Sequence, residues 1–394
     1  MYKLIINFAI YRVINLFFPI VTIPLISYYT NYSVMAELFL LQAYAFWISL
    51  VIDFGFIRTG VVDYLNSQKK QTIVNEIITS QLYLSLLIIF ISLIISFLFK
   101  IKPSHLIFVL VTGIIQGIIP KWLYQAENRM LSLSIKESIS KILALVLLLI
   151  FLPISNSIDM IIISYISMSI LIVFLIVLDY NHYLLNFKFS SINLVFKTIN
   201  NSLYVFKMRL VGNGYLNLNI IILSILSSQE VMAIYGICER LVKAMTSVLT
   251  SVGEALFPVS VKENSSPKLL RDLKISFMTS LFPTLIMLIF PNQIISILLS
   301  SDINLTYERI IFLAPIFFSL SSVLSLCYIT SKGMYKADFY IQLIILLLSL
   351  ISIIFLYFII GENYPYLAFL CSSFFSFLTY SIYVISKEKS NATN

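Results

Sequence analysis

Tyr235–Lys262 reads YGICERLVKAMTSVLTSVGEALFPVSVK, a run long enough to cross a bilayer and yet carrying four charges. At roughly 100° per residue, Glu239, Arg240, Lys243 and Glu254 fall on one stripe with Thr246, Ser247, Thr250 and Ser251. Ile237, Val248, Leu249 and Leu256 take the other side. A charge near the bilayer centre costs about 2.5–3.5 kcal/mol or more, so the stripe is expected to face protein or water, not lipid. The plainer alternative is that Glu239 and Lys243, one turn apart, pair as glue between helices. That alternative leaves Arg240 and Glu254 without named partners.

The whole chain is consistent with that setting. Of its residues 60% are hydrophobic and 11% charged, and the mean hydropathy is +0.98. Soluble domains carry roughly 25% charged residues, so this is an all-α polytopic membrane protein. The first apolar run, 4–29, lacks the short core and small-residue cleavage site of a signal peptide and is expected to remain as a span. The net charge of +8 sits in short loops, which points away from a nucleic-acid surface. Cys238, Cys327 and Cys371 are widely spaced within apolar runs and indicate neither a metal site nor a disulfide. No phosphate-binding glycine loop, GxSxG or HExxH is present, so no cofactor or nucleotide chemistry is indicated.

About twelve spans are expected, at 4–29, 34–62, 76–99, 104–125, 135–153, 158–179, 201–227, 231–259, 274–298, 307–330, 337–360 and 364–386. One set of connections holds most of the lysine and arginine, including Lys69, Lys70, Arg129, Lys136, Lys262, Lys268, Arg271, Lys332 and Lys336. Both termini fall on that side, which makes them cytoplasmic. The polar stretch from Tyr180 to Asn200 reads as a linker between two six-helix halves, 1–190 and 191–394. Val34-Met35-Ala36 recurs as Val231-Met232-Ala233, and at that offset Arg12 falls on Arg209, Gln42 on Glu239 and Asp53 on Thr250. Halves with an even number of spans must repeat in parallel, as six-helix bundles related by a pseudo-twofold along the membrane normal.

Arg12 and Asn15 share a face of the first span. Lys207 and Arg209 open the seventh, followed by Gly212, Asn213, Gly214, Asn217 and Asn219. Polar, glycine-containing helix inside a membrane occurs where transporters meet their cargo. Lys207 is expected to snorkel to the headgroups. Arg12, Asn15, Arg209, Asn213, Arg240 and Lys243 together suggest a cationic cavity suited to phosphate or carboxylate. Asp53, Glu239 and Glu254 either bind a coupling ion, H+ or Na+, or neutralise the cations beside them. Pro19, Pro24 and Pro258 are hinge candidates, because intramembrane proline removes a backbone donor and kinks its helix. Arg58 and Asp63 lie at the mouth of the second span as a gate or interface pair.

Three stretches carry a family likeness. Val51-Ile-Asp-Phe-Gly-Phe56 with Arg58-Thr-Gly60, Pro120-Lys-Trp-Leu-Tyr-Gln-Ala-Glu127 with Met130, and Tyr235-Gly-x-x-Glu239-Arg240 leading to Glu254-Ala-Leu-Phe-Pro258 resemble the O-antigen unit translocases. These are the Wzx-type lipid-linked oligosaccharide flippases of the multidrug/oligosaccharidyl-lipid/polysaccharide exporter superfamily. Tyr124 and Ala126 depart from that family's commoner Phe and Gly. The resemblance implies a bacterial inner-membrane flippase that moves an undecaprenyl-diphosphate-linked oligosaccharide to the periplasmic leaflet by alternating access. It also implies a polysaccharide polymerase and a chain-length regulator as partners, and membrane lipid around the carrier.

Rival readings differ in what they require. A cation-coupled drug antiporter of the same superfamily needs a carboxylate-dominated cavity, whereas basic residues outnumber acidic ones among these candidates. A membrane glycosyltransferase needs a catalytic carboxylate in a sizeable extracytoplasmic loop, and every such loop here is short. A structural scaffold leaves the embedded charge stripe without a purpose.

Overall fold

A computed structural model describes residues 18–262, 266–299, 305 and 308–393. Every regular element among them is helical. The first unit contains α1 (Phe18–Tyr29), α2 (Tyr32–Asp53), α3 (Phe56–Asn66), α4 (Lys70–Phe99), α5 (Pro103–Ile118), α6 (Lys121–Ala126), α7 (Met130–Phe151), α8 (Ile158–Asp179) and α9 (Asn181–Leu185). After α10 (Ile192–Leu226) come α11 (Gln229–Lys262), α12 (Ser266–Ile289), α13 (Pro291–Leu299), α14 (Ala314–Val323), α15 (Tyr335–Ile360) and α16 (Tyr364–Thr393). The chain divides into two compact units, Met1–Leu210 and Val211–Asn394. The division falls inside α10, and the expected boundary at 190 lies just ahead of that helix. The expected linker from Tyr180 to Asn200 is correspondingly shorter, because α10 already begins at Ile192, where Leu194 and Val195 donate to the Ser191 carbonyl.

Among the described residues, seven helical stretches are long and apolar enough to cross a membrane, or eight if a bent pair within α10 counts as one span. One of the seven, Tyr335–Lys389, contains both α15 and α16. Of the remaining expected spans, 4–29 is described only from residue 18, and two others carry several charges. α7 carries Lys136, Glu137 and Lys141, and α11 carries Glu239, Arg240 and Lys243. Their charges lower the hydropathy of helices that pack as the others do. The protein is a multi-pass membrane protein.

Local sequence accounts for the helix ends. Asn31 caps α2 by accepting from the Val34 N–H at 3.0 Å. Pro103 starts α5 at a position where its missing donor costs nothing. Pro120 separates α5 from α6, and Pro291 opens α13. Pro19 and Pro24 lie within α1, and Pro258 within α11.

The second expected span is not continuous. Phe54 (φ 41°) and Gly55 (φ 85°) both adopt left-handed backbone between α2 and α3. For phenylalanine this costs about 1–2 kcal/mol, and the ring is held by stacking on Phe206 of α10 at 4.2 Å between centroids. Gly55 is required twice over, since a Cβ there would lie 3.0 Å from the Phe206 amide nitrogen and 3.1 Å from Val205 Cγ1. Gly55→Val is expected to lower the thermal midpoint of the detergent-solubilised protein by several degrees, as about 2 kcal/mol of backbone strain is added to a steric clash. An unchanged midpoint would mean that the break is not needed.

One further irregularity lies in the tenth span. Leu324–Thr330 winds as seven residues of π-helix between α14 and the loop to α15. Such wide turns are uncommon and concentrate at functional positions. Here the stretch packs on α11, where the Cys327 thiol points at the Gly253 carbonyl at 3.7 Å.

Candidate functional site

The break after α2 sets the first half of the site. It ends α2 at Asp53, whose carboxylate makes an ion pair with Arg209 of α10. The two side chains are only 15% and 24% exposed. Farther along the same seam, the Thr59 and Ser202 hydroxyls meet at 2.8 Å. Next to them is an open pocket of about 400 Å³ lined by Arg58, Thr59, Val62, Asp63, Asn201 and Val205. Within the first unit, α10 thus meets the end of α2 through an embedded ion pair and α3 beside an open pocket. Arg58 and Asp63, expected at the mouth of the second span, both line that pocket.

The second unit holds a buried polar ladder between α10 and α11. Lys243 Nζ lies 3.1 Å from Glu239 Oε1 and donates to Asn217 Oδ1 at 2.8 Å. Tyr235 donates to the same Glu239 oxygen at 3.4 Å and accepts from Asn219 Nδ2 at 3.2 Å. Asn217 in turn donates to the Asn213 carbonyl at 3.0 Å. Tyr235 and Asn219 are fully buried and Glu239 almost so. The expected α11 stripe is therefore split. Glu239 turns inward with Ile237, Cys238 and Val242, Arg240 is half-buried, and Val248 is exposed at the surface. The simple one-turn pairing of Glu239 with Lys243 exists, and it extends through Asn217 into the polar part of α10. At Gly212 that helix comes so near α15 that a Cβ would lie 2.7 Å from Gln342 Oε1.

Each unit is also cross-tied at the end where its short basic loops lie. In the first, Glu127 accepts from Tyr64 at 2.7 Å, Tyr180 at 3.1 Å and Tyr183 at 3.3 Å. Asp179 accepts from Tyr124 at 2.8 Å, pairs with Lys136 at 2.8 Å and pairs with Arg129. Burial, and then the charge of Glu127, push the Tyr180 hydroxyl well above its ordinary pKa, so it stays a donor. In the second unit, Asp338 accepts from Tyr380 at 2.6 Å, Gln342 at 2.9 Å and Ser325 at 3.1 Å. Glu388 accepts from Tyr328 at 2.6 Å and meets Lys332 at 3.4 Å. Neither Asp179 nor Asp338 is among the residues singled out from the sequence. The available signal was a carboxylate at a span end with several tyrosines near other span ends.

Arg12 and Asn15 lie outside the described residues, as do the side chains of Glu254 and Pro258. His105 Nε2 lies 3.2 Å from Glu37 Oε1. Among the described residues, no group of three or more His, Cys, Asp or Glu side chains is arranged to hold a metal.

A family model described as polysaccharide biosynthesis protein matches residues 3–264. None of the curated protein sequences matches the chain. Among solved structures, the lipid II flippase MurJ in an inward closed conformation is similar, with a TM-score of 0.76 at 15% identity over 98% of this chain and 87% of that one. An inward-facing multidrug resistance MATE family transporter of the MOP superfamily gives 0.67 at 14% identity, over 96% of each chain. A MATE structure in complex with MaL6 gives 0.61 at 14% identity, over 98% of this chain and 96% of that one. At these identities the likeness is one of fold, and it extends along essentially the whole chain.

Proposed function

The chain belongs to the polysaccharide biosynthesis protein family, and from that premise we propose that it is a flippase for a lipid-linked oligosaccharide. The cargo is an undecaprenyl-diphosphate-linked repeat unit, carried from the cytoplasmic to the periplasmic leaflet of a bacterial inner membrane, with both termini cytoplasmic. The observation that carries this reading is the Asp53–Arg209 pair. A guanidinium embedded in a span is paired with a carboxylate, and an open pocket lined by Arg58, Thr59, Asp63 and Asn201 lies farther along the same helix. A diphosphate offers more charge and more acceptor oxygens than one carboxylate, so it competes for the same fork of donors. Asp53 then acts as the placeholder that neutralises Arg209 when no cargo is bound.

Lys243 and Glu239 repeat this logic in the second unit, with Asn213 and Asn217 alongside. We assign Arg12, Asn15, Arg240 and Lys243 to the anionic headgroup together with Arg209. Glu239 and Glu254 tune that charge or take a coupling H+ or Na+. Pro19, Pro24 and Pro258 give the helices that carry these residues room to bend. The polyprenyl tail stays in lipid.

The competing reading, a drug antiporter, draws on the likeness to MATE transporters. It meets a difficulty in the pairing, because an organic cation would have to displace Arg209 from Asp53 or Lys243 from Glu239. Purified protein in vesicles separates the two. Undecaprenyl-diphosphate-linked sugar is expected to cross to the far leaflet in a protein-dependent manner, and Lys243→Glu is expected to slow it at least about tenfold, the effect of roughly 1.4 kcal/mol. Protein-dependent export of an organic cation with no movement of the lipid-linked sugar would overturn the flippase reading.

A further inference from the structure

Arg58 and Asp63 bring one charge of each sign to the open pocket between α3 and α10. Among the described residues, neither side chain forms a hydrogen bond or an ion pair, with the other or with anything else. Their spacing explains this. Side chains three or four residues apart can pair along a helix, whereas five residues set them about 140° apart around the axis and about 7.5 Å along it. The helix thus keeps the two charges from neutralising each other. Arg209, on the facing helix, is engaged by Asp53 and does not serve Asp63.

The rest of the wall adds no charge. Asn201 of α10 is likewise unbonded among the described residues, and its amide offers both N–H donors and a carbonyl acceptor. The Thr59 hydroxyl is spent on Ser202 at 2.8 Å. Val62 and Val205 supply the apolar lining. A simple anion here is opposed by Asp63, and a simple cation by Arg58. A small molecule with both charges satisfies both: its oxyanion takes the guanidinium fork, and its ammonium donates to the carboxylate. The setting points to lipid. Val62 is 56% exposed and Leu65, about one turn on, 60%. Beyond them α3 ends at Asn66, and Lys69 and Lys70 follow in the basic loop, which places the pocket near headgroup level.

We propose that this pocket of the first unit is a zwitterion site, which takes a phosphoethanolamine group with its phosphate on Arg58 and its ammonium on Asp63. The site is independent of which cargo the protein carries.

The test uses the full chain in a non-ionic detergent with equimolar phosphatidylethanolamine, phosphatidylcholine and phosphatidylglycerol, and reads lipid retention by native mass spectrometry. Phosphatidylethanolamine is expected to be retained about tenfold over phosphatidylglycerol, which brings no cation to Asp63. It is also expected to exceed phosphatidylcholine, whose quaternary ammonium has no N–H to donate. Asp63→Asn is expected to raise retention of phosphatidylglycerol and erase the preference. Arg58→Gln is expected to lower retention of all three lipids about tenfold. Opposite effects on phosphatidylglycerol separate the site from a folding defect, which lowers retention in both variants. Soluble O-phosphoethanolamine, followed by phosphorus NMR, distinguishes the sources. Its binding without a lipid preference identifies a free zwitterion as the ligand, whereas selective retention of phosphatidylethanolamine identifies a headgroup. If phosphatidylglycerol is retained as well as phosphatidylethanolamine and the soluble compound does not bind, or if both variants behave as the unaltered protein does, the two charges are only a solvated helix face and the proposal falls.

Discussion

Arg209→Glu is expected to abolish export while the protein still reaches the membrane in reduced amount. The substitution sets two carboxylates against each other where Asp53 and Arg209 now pair, with side chains largely withdrawn from solvent. Breaking a buried pair by removing one partner costs about 3–5 kcal/mol. The residual exposure of Arg209 argues for the lower end. About 3 kcal/mol corresponds to roughly a hundredfold loss in whatever step needs the cation. The informative companion is the swap Asp53→Arg with Arg209→Asp, which keeps the pair and moves the guanidinium to the other helix. Immunoblots of membrane fractions are expected to show recovery of protein, while surface polysaccharide stays near the single-variant level, because the cargo meets the cation in the wrong place. Full recovery of polysaccharide by the swap would reduce Arg209 to helix glue and remove it from the headgroup.

Asp179→Ala is expected to be the most damaging change at the basic-loop end of the first unit. It withdraws one carboxylate from Arg129, Lys136 and Tyr124 together. Two like charges are left facing each other beside a stranded hydroxyl. The loss is about 3 kcal/mol, or roughly 6–12 °C in the midpoint of a unit of this size. Glu127→Gln is a fitting contrast, since an amide oxygen in the Oε1 position still accepts from Tyr64 and Tyr183, while the Oε2 position loses the bond from Tyr180 and the charge on the 3.6 Å contact to Arg129. It is expected to cost about 1 kcal/mol. Thermal unfolding of the two variants in one detergent checks the order, and a Glu127→Gln loss equal to that of Asp179→Ala would contradict the network as described.

The positions of the spans could be read from the chain because they depend on local quantities. An apolar run between short charged loops defines a helix without reference to the rest of the molecule, and among the described residues helices cover the expected spans even where α7 and α11 carry charge, with breaks inside the second, fourth and ninth. Pairings were harder, because they join residues far apart. Helical periodicity put Asp53 and Arg209 on polar faces but could not say that each was the other's partner. The same limit hid the tyrosine network. No local pattern marks Tyr64, Tyr124, Tyr180 and Tyr183 as a group, and only their arrangement around Glu127 and Asp179 shows them as donors. The break at Phe54-Gly55 left only a lone glycine in an apolar run as its trace. The π-helical turn at Leu324–Thr330 left none, since its residues are as apolar as their neighbours.

The position of Arg209 has a consequence for how the protein is made. A nascent chain that has completed its first six spans, through α8, has already committed Asp53 to the bilayer but has not yet synthesised the residue that offsets it. Until α10 leaves the translocon, that carboxylate has no guanidinium beside it, at a penalty of about 2.5–3.5 kcal/mol on insertion scales. The first unit therefore includes the opening turns of α10, and a fragment cut in the loop before α10 is not the autonomous half that its six spans suggest.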